Sequence, residues 1–338
     1  MHSSGWLPAA ALTAALAVAV PFGASATPPR SAACKVASNV VFLVDDSRSM
    51  LETDPGAQRV QALELEIKRS SNAGKTFAAI EFGDTANALF PPELVKTSSP
   101  TMLGSLGRIQ ADNGATDYNL AFDTANSTDP TAQARVFITD GGHDVGDYDN
   151  THLNGGKPPT YVVGFGTSGA TPGDAARLKQ IATDTGGQYF PLTSSVKLMP
   201  AMNQIDALLD CQPATSIVTI NDVFTKAGPG KTHAVTVPKG DTAEDLVTSF
   251  DAGSGASISS IVETLHGKAI AKSNTVATSA RKRKKTKLKK LKVTIQSGAT
   301  FINLHIAGLK PGGKLQFKVK AGKNPAGAVT TQLTPKRS

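Results

Sequence analysis

A carboxylate and two hydroxyls follow the apolar segment Val40–Val44 at a spacing that suits a cation site. Asp45 ends the segment, and Ser47 and Ser49 follow at alternate positions. A second aspartate, Asp140, ends another apolar segment. Hard divalent cations such as Mg²⁺ prefer oxygen ligands of this kind. Ligands of open α/β sheets bind beyond the carboxyl ends of the strands, so we expect both carboxylates in one crevice if the two segments are neighbouring strands.

The segments around these residues alternate between two patterns of apolar residues, one typical of buried strands and one typical of helices. Apolar strand-like runs such as Phe77–Phe82 and Thr160–Phe165 are separated by segments in which apolar residues recur at helical spacing, as at Val60, Leu63 and Ile67. Fully apolar strands indicate a sheet that is covered on both faces. The pattern therefore predicts an α/β fold with a doubly wound, mostly parallel sheet and helices on both faces.

Several of these motifs resemble those of the von Willebrand factor type A domain. That family places metal ligands in an Asp-x-Ser-x-Ser loop, in a threonine loop such as Asn113–Asp117, and at the Asp of a Thr-Asp-Gly turn, here Thr139–Gly141. The resemblance covers residues 38–211 and implies that Mg²⁺ (or Mn²⁺ or Ca²⁺) captures an acidic group of a protein partner. The implied ligands are Asp45, Ser47, Ser49, Thr116 and Asp140.

Three neighbouring features leave alternatives open. Arg48 stands where many family members have Gly, and it either steers an acidic ligand or, as we favour, points to solvent. Asp46 permits a paired-carboxylate acid/base site, although we favour an orientation away from Asp45. The loop Gly142–Asn150 carries three acids that suit either a second cation or a solvated surface, and we expect His143 in this loop to be a surface histidine.

The N-terminus predicts export. Residues 7–20 are apolar or small, and Ala24-Ser25-Ala26 offers a small-x-small cleavage site, so we predict a signal peptide over residues 1–26 and a lead over 27–37. An uncleaved anchor is the alternative. We expect a secreted, extracellular or periplasmic protein with no transmembrane span in the mature chain.

The two cysteines, Cys34 and Cys211, flank the α/β region. An even pair in an exported chain favours a disulfide, which would close a loop of 177 residues. Chain entropy gives such a crosslink about 5 kcal/mol at most. A lipid-modified Cys34 is the alternative interpretation.

After a short linker over residues 212–216 the composition changes. Residues 27–216 carry 14 basic and 21 acidic side chains, whereas residues 217–338 carry 21 and 6. Such asymmetry indicates two domains with different surfaces. Residues 217–338 predict a basic β-sandwich, with strands at 217–224, 232–238, 245–251, 257–265, 291–296, 300–306, 314–320 and 328–333.

A run of cations with no acid interrupts this β-rich region. It predicts either a polyanion-binding patch, with a cell-surface polymer as partner, or a solvated loop. Because no aromatic side chain is interleaved for base stacking, nucleic acid is disfavoured. The residues are Arg281, Lys282, Arg283, Lys284, Lys285, Lys287, Lys289, Lys290 and Lys292.

The chain lacks the local motifs of common enzymes. It has no Gly-x-Ser-x-Gly elbow, no His-Glu-x-x-His and no phosphate-binding Gly-Lys-Ser/Thr loop. The resemblance to the type A domain implies a cation-dependent binding protein and not an enzyme. Two alternatives stay open: an electrostatic envelope- or polyanion-binding protein whose α/β region is a scaffold, and an accessory subunit of a secreted enzyme.

Overall fold

The first half of the chain is built on a six-stranded mixed sheet. The computed structural model describes residues 34–153, 158–165, 172–193, 197–212, 216–225, 228, 230–250, 255–266, 268–273, 289–322 and 327–336. The strands and helices of residues 35–212, the α/β half, are β1 Asn39–Asp45, α1 Met50–Thr53, α2 Gln58–Lys68, β2 Thr76–Phe82, β3 Ala86–Leu94, α3 Val95–Ser105, α4 Tyr118–Thr128, β4 Ala134–Thr139, β5 Thr160–Phe165, α5 Pro172–Asp184, β6 Tyr189–Leu192 and α6 Leu198–Leu209.

Helices cover both faces of this sheet, as the apolar strands predict. The strand order is β3-β2-β1-β4-β5-β6, and every pair is parallel except the hairpin of β2 and β3. Along β1, Val40 and Phe42 pack with α2 and α6 on one face, while Val41 and Leu43 pack with α4 and α5 on the other. Alternate residues thus enter two cores, which explains why the strand reads as a continuous apolar run.

Residues 216–336, the β half, form two five-stranded sheets. The strands are β7 Val218–Val223, β8 Lys231–Thr236, β9 Ala243–Ser249, β10 Ala256–Leu265, β11 Lys268–Ser273, β12 Lys289–Lys290, β13 Lys292–Ser297, β14 Phe301–Ala307, β15 Lys314–Ala321 and β16 Ala328–Lys336. Their orders are β13-β14-β9-β16-β7, the inner sheet, and β12-β11-β10-β15-β8, the outer sheet. The sequence predicts this sandwich but not β11 and β12, because both are short and border the basic run.

The inner sheet packs directly against the α/β half. Val247 of β9 and Phe301 of β14 belong to the same hydrophobic cluster as α2 and α6, and the Ala299 amide donates to Gln61 Oε1 at 2.7 Å. Contacts between Cα atoms place Lys35–Ser338 in one compact unit. Both cysteines are disulfide-bonded, as the sequence predicts, whereas the predicted boundaries of the signal peptide, linker and domains stay predictions.

A buried arginine is the centre of the polar contacts at this junction. Arg69 Nη1 donates to Asn203 Oδ1 at 2.8 Å and to Asp206 Oδ2 at 3.1 Å, and Nη2 donates to Glu66 Oε1 at 3.2 Å. Asp245 of the inner sheet lies 4.0 Å from the same guanidinium. The guanidinium therefore joins two helices of the α/β half to a strand of the β half.

Lysines complete this cluster from both halves. Lys75 Nζ and Lys336 Nζ reach Asp206 at 3.3 and 2.8 Å, and Lys336 also donates to Asp210 at 2.6 Å. Burial alone would raise the pKa of Asp206, but these cations and Arg69 lower it well below its usual range. Asp206 therefore stays ionised, because the cations compensate its charge.

Removing the guanidinium should destabilise the whole molecule. We expect Arg69→Ala to lower the free energy of unfolding by about 3–5 kcal/mol, because it leaves buried carboxylates unpaired. The matched control is Arg177→Ala, whose partly exposed side chain lies 3.7 Å from Asp174 and should cost less than about 1 kcal/mol. Urea unfolding followed by circular dichroism measures both, and equal losses would contradict the role given to Arg69.

Glu244 on β9 predicts a pH dependence of stability. Its side chain is buried, Oε2 has no hydrogen-bond partner among the described residues, and burial, then Asp241 and Asp245, raise its pKa from 4.5 to about 8. Between these values the unfolded chain loses a proton that the folded chain keeps, so the free energy of unfolding falls as pH rises.

Glu244→Gln should remove that loss. We expect the variant to be more stable than the parent by about 2 kcal/mol at pH 8, with the difference vanishing toward pH 5. The control is Glu52→Gln, at an exposed position, which should change neither value. Denaturation midpoints at the two pH values test this, and a constant difference between variant and parent would argue against the assignment.

Candidate metal centre

Parallel pairing brings the two predicted aspartate ligands to one edge of the sheet. Val44 of β1 lies opposite Ile138 of β4, so the chain leaves both strands at the same level, at Asp45 and Asp140. Ser49 Oγ, from the loop after β1, donates to Asp140 Oδ1 at 3.0 Å. The structure therefore joins residues that are far apart in sequence.

Hydrogen bonds fix the loop that follows Asp45. Its carboxylate accepts the Ser47 amide at 2.8 Å through Oδ1 and the Thr139 hydroxyl at 2.6 Å through Oδ2. The hydroxyls of Ser47 and Ser49 lie 3.1 Å apart. Hydrogen bonds thus connect four of the five predicted ligands, Asp45, Ser47, Ser49 and Asp140, to one another.

Thr116, the fifth, lies in an adjoining loop. Backbone bonds from Arg48 to Gly114 O (2.9 Å) and from Asn113 to the Asp46 carbonyl (3.0 Å) hold that loop against the loop after β1. The Thr116 carbonyl accepts the Asp144 amide at 2.9 Å, which ties it to the loop after Asp140. Thr116 is a buried residue, and no hydrogen bond in the described part of the chain joins its hydroxyl to the other four residues.

The family model of the von Willebrand factor type A domain matches residues 40–143. This span begins in β1 and ends just after Asp140, so it contains all five predicted ligands. The chain carries a von Willebrand factor type A domain. No curated protein matches it in a sequence comparison.

Solved structures resemble the chain at low identity. Proximal thread matrix protein 1 from the mussel byssus has 17% identity and a TM-score of 0.43, and the match covers 55% of this chain and 50% of that one. A second structure of that protein, with a zinc-occupied MIDAS motif, has 17% identity, a TM-score of 0.41 and the same coverage. A von Willebrand factor type A protein from Catenulispora acidiphila has 14% identity and a TM-score of 0.42, covering 89% and 63%.

The chain thus spans half of the mussel protein's length. Likenesses this distant leave the chemistry of the site to its own residues.

Burial gives the two aspartates of the type A domain unusual electrostatics. Burial first, and then the nearby Asp140 carboxylate, raise the pKa of Asp45 to about 7, and burial also raises the pKa of Asp140. Two neighbouring carboxylates with little solvent favour a bound cation, because its charge lets both stay ionised.

The donor set fits a hard divalent cation. The converging side-chain atoms are carboxylate and hydroxyl oxygens, with no sulfur or imidazole among them, which is the chemistry of Mg²⁺, Mn²⁺ or Ca²⁺ sites. Asp45, Ser47 and Asp140 are buried, whereas Ser49 is exposed. The site therefore opens to solvent on one side, where a further ligand can approach.

Neighbouring charges settle two of the open alternatives. Asp46 is ion-paired with the buried Arg59 at 3.2 Å and accepts the Ala111 amide, so it does not form an acid/base pair with Asp45. Arg48 is exposed, which agrees with the favoured interpretation.

The prediction for His143 is wrong. Its side chain is 1% exposed, because the ring packs between Tyr118 and Tyr148 at centroid distances of 5.5 and 5.9 Å. Nδ1 accepts the Tyr118 amide at 3.0 Å. Nowhere in the described residues do three His, Cys, Asp or Glu side chains form a metal-binding group, so a second cation in the 142–150 loop gains no support.

Three residues of the site were not predicted from the sequence. Thr53 donates to Asp140 Oδ2, Thr139 orients Asp45, and Arg59 bridges Asp46 and Asp54 at 3.2 and 3.1 Å. The motifs Thr53-Asp54-Pro55 and Thr139-Asp140-Gly141 contain two of them. The sequence does not reveal where the hydroxyls of Thr53 and Thr139 point, because that direction depends on how the loops fold.

The predicted polyanion-binding residues are only partly described. Lys289 and Lys290 form β12, and Lys292 is an exposed residue of β13. The others lie outside the described residues: Arg281, Lys282, Arg283, Lys284, Lys285 and Lys287.

The Thr139 hydroxyl should matter for cation affinity although it is not a proposed ligand. We expect Thr139→Val to weaken Mn²⁺ binding about tenfold, because its hydroxyl donates to Asp45 and groups that hydrogen-bond to metal ligands orient them. The stability cost should be about 1 kcal/mol. Thr248→Val is the control, because its buried hydroxyl lies 3.0 Å from that of Thr331 in the β half. Calorimetric titration of Mn²⁺ measures the affinity of both variants. Parent-like affinity in both would contradict the role given to Thr139.

Proposed function

We propose that the protein is an exported, divalent-cation-dependent binding module whose metal site captures an acidic group of a protein partner. The observation that carries the proposal is the connected oxygen cluster of Asp45, Ser47, Ser49 and Asp140 at an edge that opens to solvent. Its position inside the residues matched to the type A domain supports a binding role over catalysis.

Asp45, Ser47, Ser49, Thr116 and Asp140 are the proposed ligands. A bound Mg²⁺ would supply a positive charge, and a partner's carboxylate would complete its coordination. Donors that are all oxygen atoms favour Mg²⁺ or Mn²⁺ over softer metals. The zinc in the mussel protein's MIDAS motif makes Zn²⁺ a cation to test as well.

The surface next to the site suits a protein ligand. A cleft of about 670 Å³ begins at Met50 and Leu51, directly after the serine loop, and runs between α2 and α3. Leu51 is 56% exposed. An acidic residue followed by an apolar side chain could therefore bind the metal site and the cleft together.

Export is part of the proposal. The predicted signal peptide lies outside the described residues, and the disulfide is compatible with an oxidising compartment. Within the described residues, no helix has the length and apolarity that crossing a membrane requires.

Cation binding is the first test. Titration calorimetry with Mg²⁺, Mn²⁺, Ca²⁺ and Zn²⁺ should give saturable binding that Asp45→Asn/Asp140→Asn weakens at least tenfold. The control is Asp144→Asn/Asp147→Asn, which removes two exposed acids from the next loop and should bind normally. If the control loses affinity and the site variant keeps it, the ligand assignment is wrong.

Partner chemistry is the second test. A displayed peptide library selected in Mg²⁺ and eluted with EDTA should yield peptides that contain Asp or Glu. Replacing that acid by Asn or Gln should abolish binding, as should Asp140→Ala in the protein. Peptides that bind equally well in EDTA would refute capture through the cation.

A further inference from the structure

The outer sheet of the β half exposes lysines on one face. Along β15 the buried side chains Leu315, Phe317 and Val319 point into the sandwich. The alternate positions therefore face away from the core, and they include Lys314, which is exposed, and Lys318 and Lys320, which are half-buried. Three of the four outward positions of this strand, residues 314, 316, 318 and 320, are thus cationic.

Neighbouring strands extend this face without adding an acid. Val262 of β10 pairs with Gln316 on one side and with Lys272 of β11 on the other, so Lys272 shares the outward face. The β10 and β8 residues opposite the β15 lysines are hydroxyl residues: Ser257, Ser259, Thr264, Thr232 and Thr236.

The described carboxylates of the β half are buried and do not reach its surface. Every acid in the described part of the β half is at most 7% exposed: Asp222, Asp241, Glu244, Asp245 and Glu263. Two described lysines of this half form ion pairs. Lys231 pairs with Asp222, and Lys336 pairs with Asp206 at the junction. Lys272, Lys314, Lys318 and Lys320 therefore present charge that no described carboxylate compensates.

The face continues at its edge into the basic run. In β12 the backbone of Lys290 is in parallel register with Lys272, and the cations at 281–287 immediately precede this strand in sequence. Lys289 and Lys290, two residues of the basic run, thus lie at this edge of the outer sheet.

The chemistry of the face fits a linear polymer of negative charges. The exposed large apolar residues of the described β half are Val218, Val223 and Ile295, all on the inner sheet. Among the described residues, the lysine face therefore offers no exposed large apolar side chain to enter a bilayer. Phe317, the aromatic residue of β15, points inward, so no stacking platform for bases is present there. Successive outward positions on a strand lie about 7 Å apart, which is the spacing of Lys318 and Lys320, and Lys314 lies about twice as far from Lys318.

We propose that the outer sheet binds a linear anionic polymer through Lys272, Lys314, Lys318 and Lys320. This interaction is independent of the metal site, because it uses a different part of the molecule and requires no cation. A polyanion would bind mainly by releasing counterions, so affinity should fall steeply with salt.

The test measures binding of the full chain to immobilised long-chain polyphosphate. Changing all four lysines to Gln should weaken binding at least tenfold and make the dependence of log affinity on log salt shallower by about 2 to 3. The control removes equal charge from four exposed lysines of the α/β half, namely Lys35, Lys96, Lys179 and Lys197, and should bind within twofold of the parent. EDTA should have no effect.

Three results would overturn the proposal. The first is equal binding by the four-lysine variant and its control. The second is binding that disappears only when the cations at 281–287 are changed to Gln and survives in the four-lysine variant. The third is strong sedimentation with anionic phosphatidylglycerol vesicles without binding to polyphosphate, which would assign the face to a membrane.

Discussion

The parallel pairing of β1 with β4 is the constraint on which the candidate metal centre depends. It places Asp45 and Asp140 at one edge although 95 residues separate them. Burial of β1 on both faces then keeps that edge rigid. The cost is that two carboxylates lie together in a poorly solvated place, with raised pKa values. Hydroxyls from Ser49, Thr53 and Thr139 offset part of this cost, and a divalent cation would offset more.

A second buried electrostatic cluster ties the α/β half to the β half. Arg69, Lys75 and Lys336 neutralise Asp206 and its acidic neighbours from both sides of the junction. Buried ion pairs add little net stability compared with apolar packing, but breaking one is costly, so they favour a single arrangement of their partners. The metal centre lies at an edge of the sheet, whereas this cluster lies under α2 and α6. The two sites therefore constrain different parts of the same α/β half.

Sequence periodicity predicts most of the first half and less of the second. Runs such as Val40–Val44 reveal a sheet buried on both faces, and the position of Asp45 after one of them reveals the site. In β9, by contrast, all seven residues are buried, including Glu244 and Asp245. A half-buried antiparallel strand should alternate; here polar side chains enter the junction on one face and the sandwich on the other. Only the three-dimensional arrangement supplies their partners.

The same limit applies to the fine structure of the site. A spacing pattern identifies Ser47 and Ser49. It does not reveal that the ring of His143 packs between two tyrosines or that Arg59 forms an ion pair with Asp46. Such partners come from other segments whose approach depends on loop conformation. A motif therefore predicts which residues form the site, while packing decides which of their atoms remain free.

Burial also explains why the two halves present opposite chemistry. In the β half the few described carboxylates are buried: they lie at the junction, beside Lys231, or within the sandwich. Lysines therefore remain on the surface. In the α/β half acids reach the surface around the metal centre, as at Asp144 and Asp147. The two proposed binding surfaces thus carry opposite charge. Between these surfaces, Arg69 and Lys336 compensate the buried carboxylates of the junction.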